Sequence, residues 1–227
     1  ETQAIEPIKA LEEMRGNHFT DADILQKVIS RLEQIPEYRK LFEIAFNEEH
    51  PITITNIGKA IATFERTLIA NNSDFDRYMR GDSTAISLAE KEGFKLFKQV
   101  GCINCHNGPM FSDYKMHVLG LPENEKLDSP DSGFNGQYAF RTATLRNLRF
   151  TAPYMHDGRF ATLEEVVEHY NSGIQAHPTL SPALTDDNGN PIQLNFTDSE
   201  KAALVAFLKT LTDNSVSSEE KWSDPFE

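Results

Sequence analysis

Apolar positions recur with helical spacing along most of the chain, and proline, asparagine and glycine mark the breaks between them. After Thr20-Asp21-Ala22-Asp23, residue types that suit a helix N-terminus, Ile24, Val28 and Leu32 fall on one face. Pro36 opens a second segment in which Tyr38, Leu41, Phe42 and Ala45 are apolar. Beyond Pro51, the stripe Ile57, Ala60, Ile61, Phe64 and Leu68 predicts a core-facing helix that Asn71-Asn72-Ser73 breaks. Ser87-Leu88-Ala89-Glu90 is a capping box: the Ser and Glu side chains each satisfy a backbone N–H that the first helical turn leaves open. It launches a helix with Phe94, Phe97 and Val100 inward. The same device at Thr162–Glu165 precedes Leu163, Val166, Val167 and Tyr170, closed by Gly173, and at Thr197–Glu200 it precedes Leu204, Phe207, Leu208 and Leu211.

Between these segments the periodicity fails. Glu1 to Asn17 is a polar lead-in with Pro7, and residues 107–136, rich in Gly, Pro, Asp and Asn, predict a long loop. Arg141 to Pro153 alternates basic and apolar groups without a helical stripe. Residues 178–191 are polar, as is the tail after Asp213 apart from Trp222 and Phe226. Every predicted element is a helix, so the expected fold class is all-α, with no internal repeat.

Composition is that of an ordinary globular chain of 227 residues, 39% hydrophobic and 25% charged. The net charge of -13 argues against nucleic acid and anionic membrane as partners. No apolar run approaches the ~20 residues of a membrane span. The chain opens on Glu1-Thr2-Gln3 without a Met or a basic-then-apolar leader.

The chemistry concentrates in Gly101-Cys102-Ile103-Asn104-Cys105-His106-Asn107-Gly108, which holds both cysteines of the chain. Cys-x-x-Cys-His is the attachment pattern of a c-type haem. Two thiols a turn apart can add to the two vinyl groups of one porphyrin, and the following imidazole then lies under the iron as an axial ligand. A zinc site would need more Cys or His at paired spacing. A thioredoxin-like pair would follow a strand in a βαβ pattern; a structural disulfide is the remaining rival. Covalent haem c predicts a bacterial, periplasmic protein, because the attachment takes place outside the cytoplasm. The missing leader then predicts a processed or partial piece of a longer chain. Candidates for the second axial ligand are Met155, His156, His169 and Tyr170, with Met116 and His117 as outsiders.

Three stretches together carry a more specific resemblance: GCINCHNG, then FRTATLRNLRFTAPYMHDGRFATLEEVVEHY, then AALVAFLKTLTD. They resemble the C-terminal haem domain of bacterial di-haem cytochrome c peroxidases, the family that includes MauG. The resemblance implies a cytochrome c-like haem domain at 87–227 with long haem-wrapping loops and a helical inter-domain part at 20–86. It also implies a segment at 1–19 that reaches the distal pocket of a second haem c, carried by an N-terminal haem domain. In that family a Gln and a Glu ten positions apart, around Pro-Ile and just before Met, line the peroxide site. Gln3 and Glu13, around Pro7-Ile8 and before Met14, match that pattern. Glu13 would move protons during peroxide cleavage and Gln3 would position by hydrogen bonding. On residues alone, both read as solvated surface.

The family peroxidases carry a ligand Met at the last position of the APYMHDG…VVEHY segment, and here that position is Tyr170; Met155 matches a position that is usually aromatic. MauG-type members have Tyr there, bound to iron. Without the resemblance, Tyr170 continues the Leu163/Val166/Val167 stripe as a core residue. Thr151 and Pro153 match positions whose backbone carbonyls hold calcium in the family, oxygen donors that suit this ion. Arg141, Arg146 and Arg149 read as partners for haem propionates. The implied activity is peroxide-dependent oxidation, with hydrogen peroxide as oxidant and a protein substrate in the MauG-like case. An ordinary cytochrome c peroxidase fed by a small cytochrome or cupredoxin is one alternative. A single-haem, non-enzymatic electron carrier is the other.

Overall fold

The computed structural model describes residues 2–10, 19–124 and 129–223. The chain divides into two compact units, Glu1–Ile69 and Ala70–Glu227. In the first, α1 (Thr2–Ala10) packs with α2 (Asp21–Glu33) and α4 (Ile54–Thr67), and α3 (Pro36–Phe46) packs with α2. The N-caps follow from sequence: Thr20 accepts from the Asp23 N–H and Thr53 from the Asn56 N–H, and Pro36 stands in the first turn of α3, where its missing N–H costs nothing. Phe42, Ile52 and Ile57 form the buried centre, with Ile5, Val28, Ile29 and Leu32 against it.

The α1 helix was not predicted by periodicity; it is ordered by docking Ile5 on this core. Conversely, the α4 stripe is only partly inward. Ile57 and Ala62 are buried, while Phe64 is 49% and Leu68 38% exposed, because this small core covers only one flank of the helix.

In the second unit, α5 (Asp74–Met79), α6 (Leu88–Gln99), α7 (Leu163–Glu168) and α8 (Asp198–Lys209) surround a core dominated by phenylalanine. Phe75 meets Phe94, Phe111 and Phe207 edge-on at centroid distances of 4.8, 5.6 and 5.3 Å, an arrangement that the ring quadrupoles favour. Where α6 crosses α8, the backbones touch at Gly93: a Cβ there would lie 2.0 Å from the Ala203 carbonyl oxygen.

Three differences from the sequence expectations concern this unit. First, the unit begins at Ala70, whereas a boundary at 86/87 was expected, because Phe75 and Ile86 are buried in the same core as Phe97 and Phe207. Second, α5, which follows the Asn71–Ser73 break, was not predicted. Ser73 and Asp76 form a capping box there, with Asp in place of the usual Glu. Third, the fold is predominantly helical but contains a small antiparallel pair, β1 (Met116–Val118) with β2 (Ala139–Arg141), in the register Met116↔Arg141, His117↔Phe140, Val118↔Ala139. Its inward residues are Val118 and Ala139.

Candidate haem site

The haem motif sits at the C-terminal end of α6. Gly101 takes a left-handed conformation (φ 86°) and turns the chain into a short 3₁₀ segment, Cys102–Asn104. The turn is tied by the His106 N–H to the Cys102 carbonyl (3.0 Å) and the Asp113 N–H to the Cys105 carbonyl (2.7 Å). The cysteines are not paired with each other. Burial pushes the Cys102 thiol up to about 11, and burial plus the Asp113 carboxylate raises Cys105. Redox-active CxxC pairs need the opposite, a thiol made acidic by its surroundings. Both shifts run against the thioredoxin-like reading.

His106 is oriented by the loop that follows it. Its Nδ1 lies 3.1 Å from the Phe111 carbonyl oxygen, an acceptor, so Nδ1 carries the proton. Phe111 adopts a left-handed conformation (φ 51°) while its ring is buried in the phenylalanine core, and this fixes where its carbonyl points. Burial also lowers the imidazole pKa, keeping it neutral. Among the described residues Nε2 has no hydrogen-bond partner, so a neutral imidazole presents its lone pair. This is how protein ligands to metals are held.

Tyr170 lies where α7 changes character: residues His169–Gly173 form a π-helical turn. Such turns concentrate at functional sites. The Tyr170 ring is outside the core cluster to which Leu163 and Val167 belong. The residue is partly buried. Burial raises its pKa, and the charge of ionised Cys102 and Cys105 would raise it further, so both cysteines lie within electrostatic range of the phenol. Among the described residues the hydroxyl makes no hydrogen bond.

The other ligand candidates are engaged elsewhere or lie outside. His117 Nε2 contacts Asp113 Oδ2 (2.8 Å) and its Nδ1 contacts Ser181 Oγ (3.3 Å). His169 Nε2 donates to the Leu119 carbonyl (3.1 Å). The His156 ring stacks flat on Phe140 at 3.7 Å. Met116 is exposed, and Met155 occupies a left-handed turn.

The donor set fits a haem c: two neutral thiols, one neutral imidazole with its lone pair presented, and one phenol without a hydrogen bond among the described residues.

Of the three arginines expected at propionates, Arg146 is committed elsewhere. Its guanidinium pairs with both oxygens of Asp76 (2.8 and 2.8 Å), and its Nε donates to the Pro109 carbonyl (2.6 Å). The Arg141 Nε donates to the Tyr114 carbonyl. Thr151 and Pro153 are exposed, and among the described residues their carbonyls accept no hydrogen bond. Gln3 is an exposed residue of α1 in the first unit, while Glu13 lies outside the described residues. Sequence reasoning missed the Phe111 and Leu119 carbonyls, which orient the two histidines, because a backbone acceptor leaves no residue-type signal.

Comparison with known proteins adds a frame. Residues 1–84 match the family model for di-haem cytochrome c peroxidase. MauG of Methylorubrum extorquens, a methylamine utilization protein, is 38% identical over 216 residues, covering 93% of this chain and 57% of its own length. Cytochrome c551 peroxidase of Nitrosomonas europaea is 36% identical over 219 residues, covering 92% of this chain and 58% of its own length. The chain thus spans a little over half the length of these relatives. Among solved structures, a MauG-like protein associated with microbial copper homeostasis superposes with a TM-score of 0.79 at 28% identity, over 98% of this chain and 71% of that one. The family-model match ends before the Cys-x-x-Cys-His segment, whereas the two relatives match over more than nine-tenths of this chain, and the chain belongs to the di-haem cytochrome c peroxidase family that includes MauG.

Proposed function

We propose that this chain forms the electron-handling part of a peroxide-dependent oxidoreductase, MauG-like in carrying tyrosine opposite histidine. The observation that carries the reading is the Tyr170 hydroxyl on a π turn, without a hydrogen bond among the described residues and within electrostatic range of Cys102 and Cys105. A covalently bound haem c would supply one-electron redox chemistry there. Cys102 and Cys105 would hold it by thioethers, and His106 Nε2 and the Tyr170 oxygen would be its axial donors.

The protein's part is positional and electrostatic. The Phe111 carbonyl keeps the His106 proton on Nδ1 and so reserves Nε2. Burial alone keeps the Tyr170 phenol protonated, so its ionisation requires a cationic centre at the hydroxyl. An anionic oxygen donor favours the oxidised state of a metal more than a thioether does, which suits a centre that retains oxidising equivalents. With His106 and Tyr170 both held as donors, this site would leave no position for peroxide. Peroxide chemistry then belongs to a second haem c on an N-terminal haem domain, where Glu13 would transfer the proton and Gln3 position the substrate, as the resemblance implies. The loop 107–136 would wrap this chain's haem. The Thr151 and Pro153 carbonyls would take calcium. The reading places the protein in the periplasm, and no helix among the described residues is long and apolar enough to cross a membrane. Its reductant would be a protein substrate rather than a small cytochrome or cupredoxin.

The test is Tyr170→Phe in the full haem-loaded protein. Loss of the phenol should convert the visible spectrum of this haem from six- to five-coordinate. An unchanged spectrum would remove Tyr170 from the ligand set and return attention to Met155. Haem content tests the wider reading: two per molecule are expected, and one would leave a simple electron carrier. Fast turnover with reduced cytochrome c would favour the ordinary peroxidase.

A further inference from the structure

The π-helical turn that carries Tyr170 continues directly from α7, where the regular i to i−4 hydrogen-bond pattern changes. Something else must fix the direction of the phenol. The residue before it, His169, is only 4% exposed although it is polar. Its Nε2 donates to the Leu119 carbonyl (3.1 Å), just beyond β1, and its ring stands edge-on to the Tyr170 ring at 5.3 Å and 67°. Phe160 closes the other side of the imidazole at 5.8 Å. Below it, a Cβ on Gly173 would come within 3.3 Å of His169 Nδ1, so the turn is packed around this ring. The far end of the turn is laced to the same strand: the Gln175 N–H donates to the Gly120 carbonyl (2.8 Å), and the approach is so close that a Cβ on Gly120 would lie 2.5 Å from the Gln175 oxygen.

We infer that His169 is a positioning residue: by anchoring the π turn to the Leu119 carbonyl, it sets where the Tyr170 oxygen points. The inference rests on the proposed ligation by Tyr170. It assigns His169 no contact with the haem iron, since its Nε2–H is spent on a backbone acceptor and its Nδ1 faces Gly173.

The test compares His169→Phe with His169→Gln in the full haem-loaded protein. Phe keeps the bulk but strands the Leu119 carbonyl; Gln offers an amide N–H in its place. The readout is an imidazole titration, followed in the visible spectrum, in which added imidazole competes with Tyr170 at this haem. Loss of one buried hydrogen bond should raise the apparent imidazole affinity about tenfold in His169→Phe, with His169→Gln close to wild type. Should the Phe variant not accumulate, His169→Asn, whose shorter amide stops short of Leu119, carries the same expectation. Tyr170→Phe is the reference. If it alters the spectrum while His169→Phe lowers only the melting temperature and leaves imidazole affinity unchanged, His169 is structural and the inference fails alone. If Tyr170→Phe itself leaves the spectrum unchanged, the ligation reading fails and this inference falls with it.

Discussion

Replacing Arg146 with Met tests the packing beneath the haem segment. The guanidinium is 8% exposed and the Asp76 carboxylate 13%, joined by two parallel hydrogen bonds of 2.8 Å. Removing one partner of a buried pair costs about 3–5 kcal/mol, because the other is left charged and unpaired. Here Asp76 keeps the Ser73 N–H (3.0 Å) and hydroxyl (2.7 Å), so the lower end, about 3 kcal/mol, is expected. At roughly 2–4 °C per kcal/mol for a unit of this size, the melting temperature should fall by about 6–12 °C. Asp76→Asn and the double variant complete a cycle whose coupling should be about 2 kcal/mol. The sign with pH follows from the carboxylate. Burial opposes its ionisation but is outweighed by the Arg146 and Ser73 hydrogen bonds, so its pKa lies below the usual value. Its contribution is complete above the unfolded pKa of about 3.9 and is lost as pH falls through the lower folded value. The gap between wild type and Arg146→Met should therefore be widest near neutrality and narrow in acid. Additive effects of the two single variants would refute the pairing and restore Arg146 as a candidate for a haem propionate.

Two further outcomes follow from the same structure. Asp157 accepts from Arg159 through Nε and Nη2 (2.9 and 2.6 Å to Oδ2) and from Asn124 (3.0 Å), and although burial opposes it, these bonds hold its pKa at about 2. Asp157→Asn should thus remove about 1–2 kcal/mol of stability at neutral pH but almost none at pH 2, read from urea denaturation at both; an equal loss at both would refute the assignment. Gly93→Ala forces a methyl group against the Ala203 carbonyl at the α6–α8 crossing and should cost about 3 kcal/mol or more, seen as a lower melting temperature with the haem motif unaltered in sequence; a neutral result would mean that the two helices can part.

What could be read from the sequence was local. The capping boxes at Ser87, Thr162 and Thr197 form as expected, because a side chain and an N–H three residues away meet whatever the rest of the chain does. The Ser73–Asp76 box obeys the same rule and was equally legible, with Asp for Glu. The helix α1 was not, since nothing in its own residues orders it; the docking of Ile5 does. Residues Arg141 to Pro153 showed no helical stripe and supply part of β2, whose partner strand is more than twenty residues earlier.

For the site, the sequence by itself determined which groups are available: two thiols and an imidazole at the spacing of one porphyrin, and a tyrosine at the family's ligand position. Tertiary structure alone decided their states. The His106 tautomer depends on the Phe111 carbonyl, whose direction is set by a ring buried in a core built from α5, α6 and α8. Arg146 looked like a propionate partner and is instead paired with a carboxylate 70 residues away. Tyr170 looked like one more core residue of an α-helical stripe. It lies instead in a π turn and outside that core cluster, and among the described residues its hydroxyl has no hydrogen-bond partner.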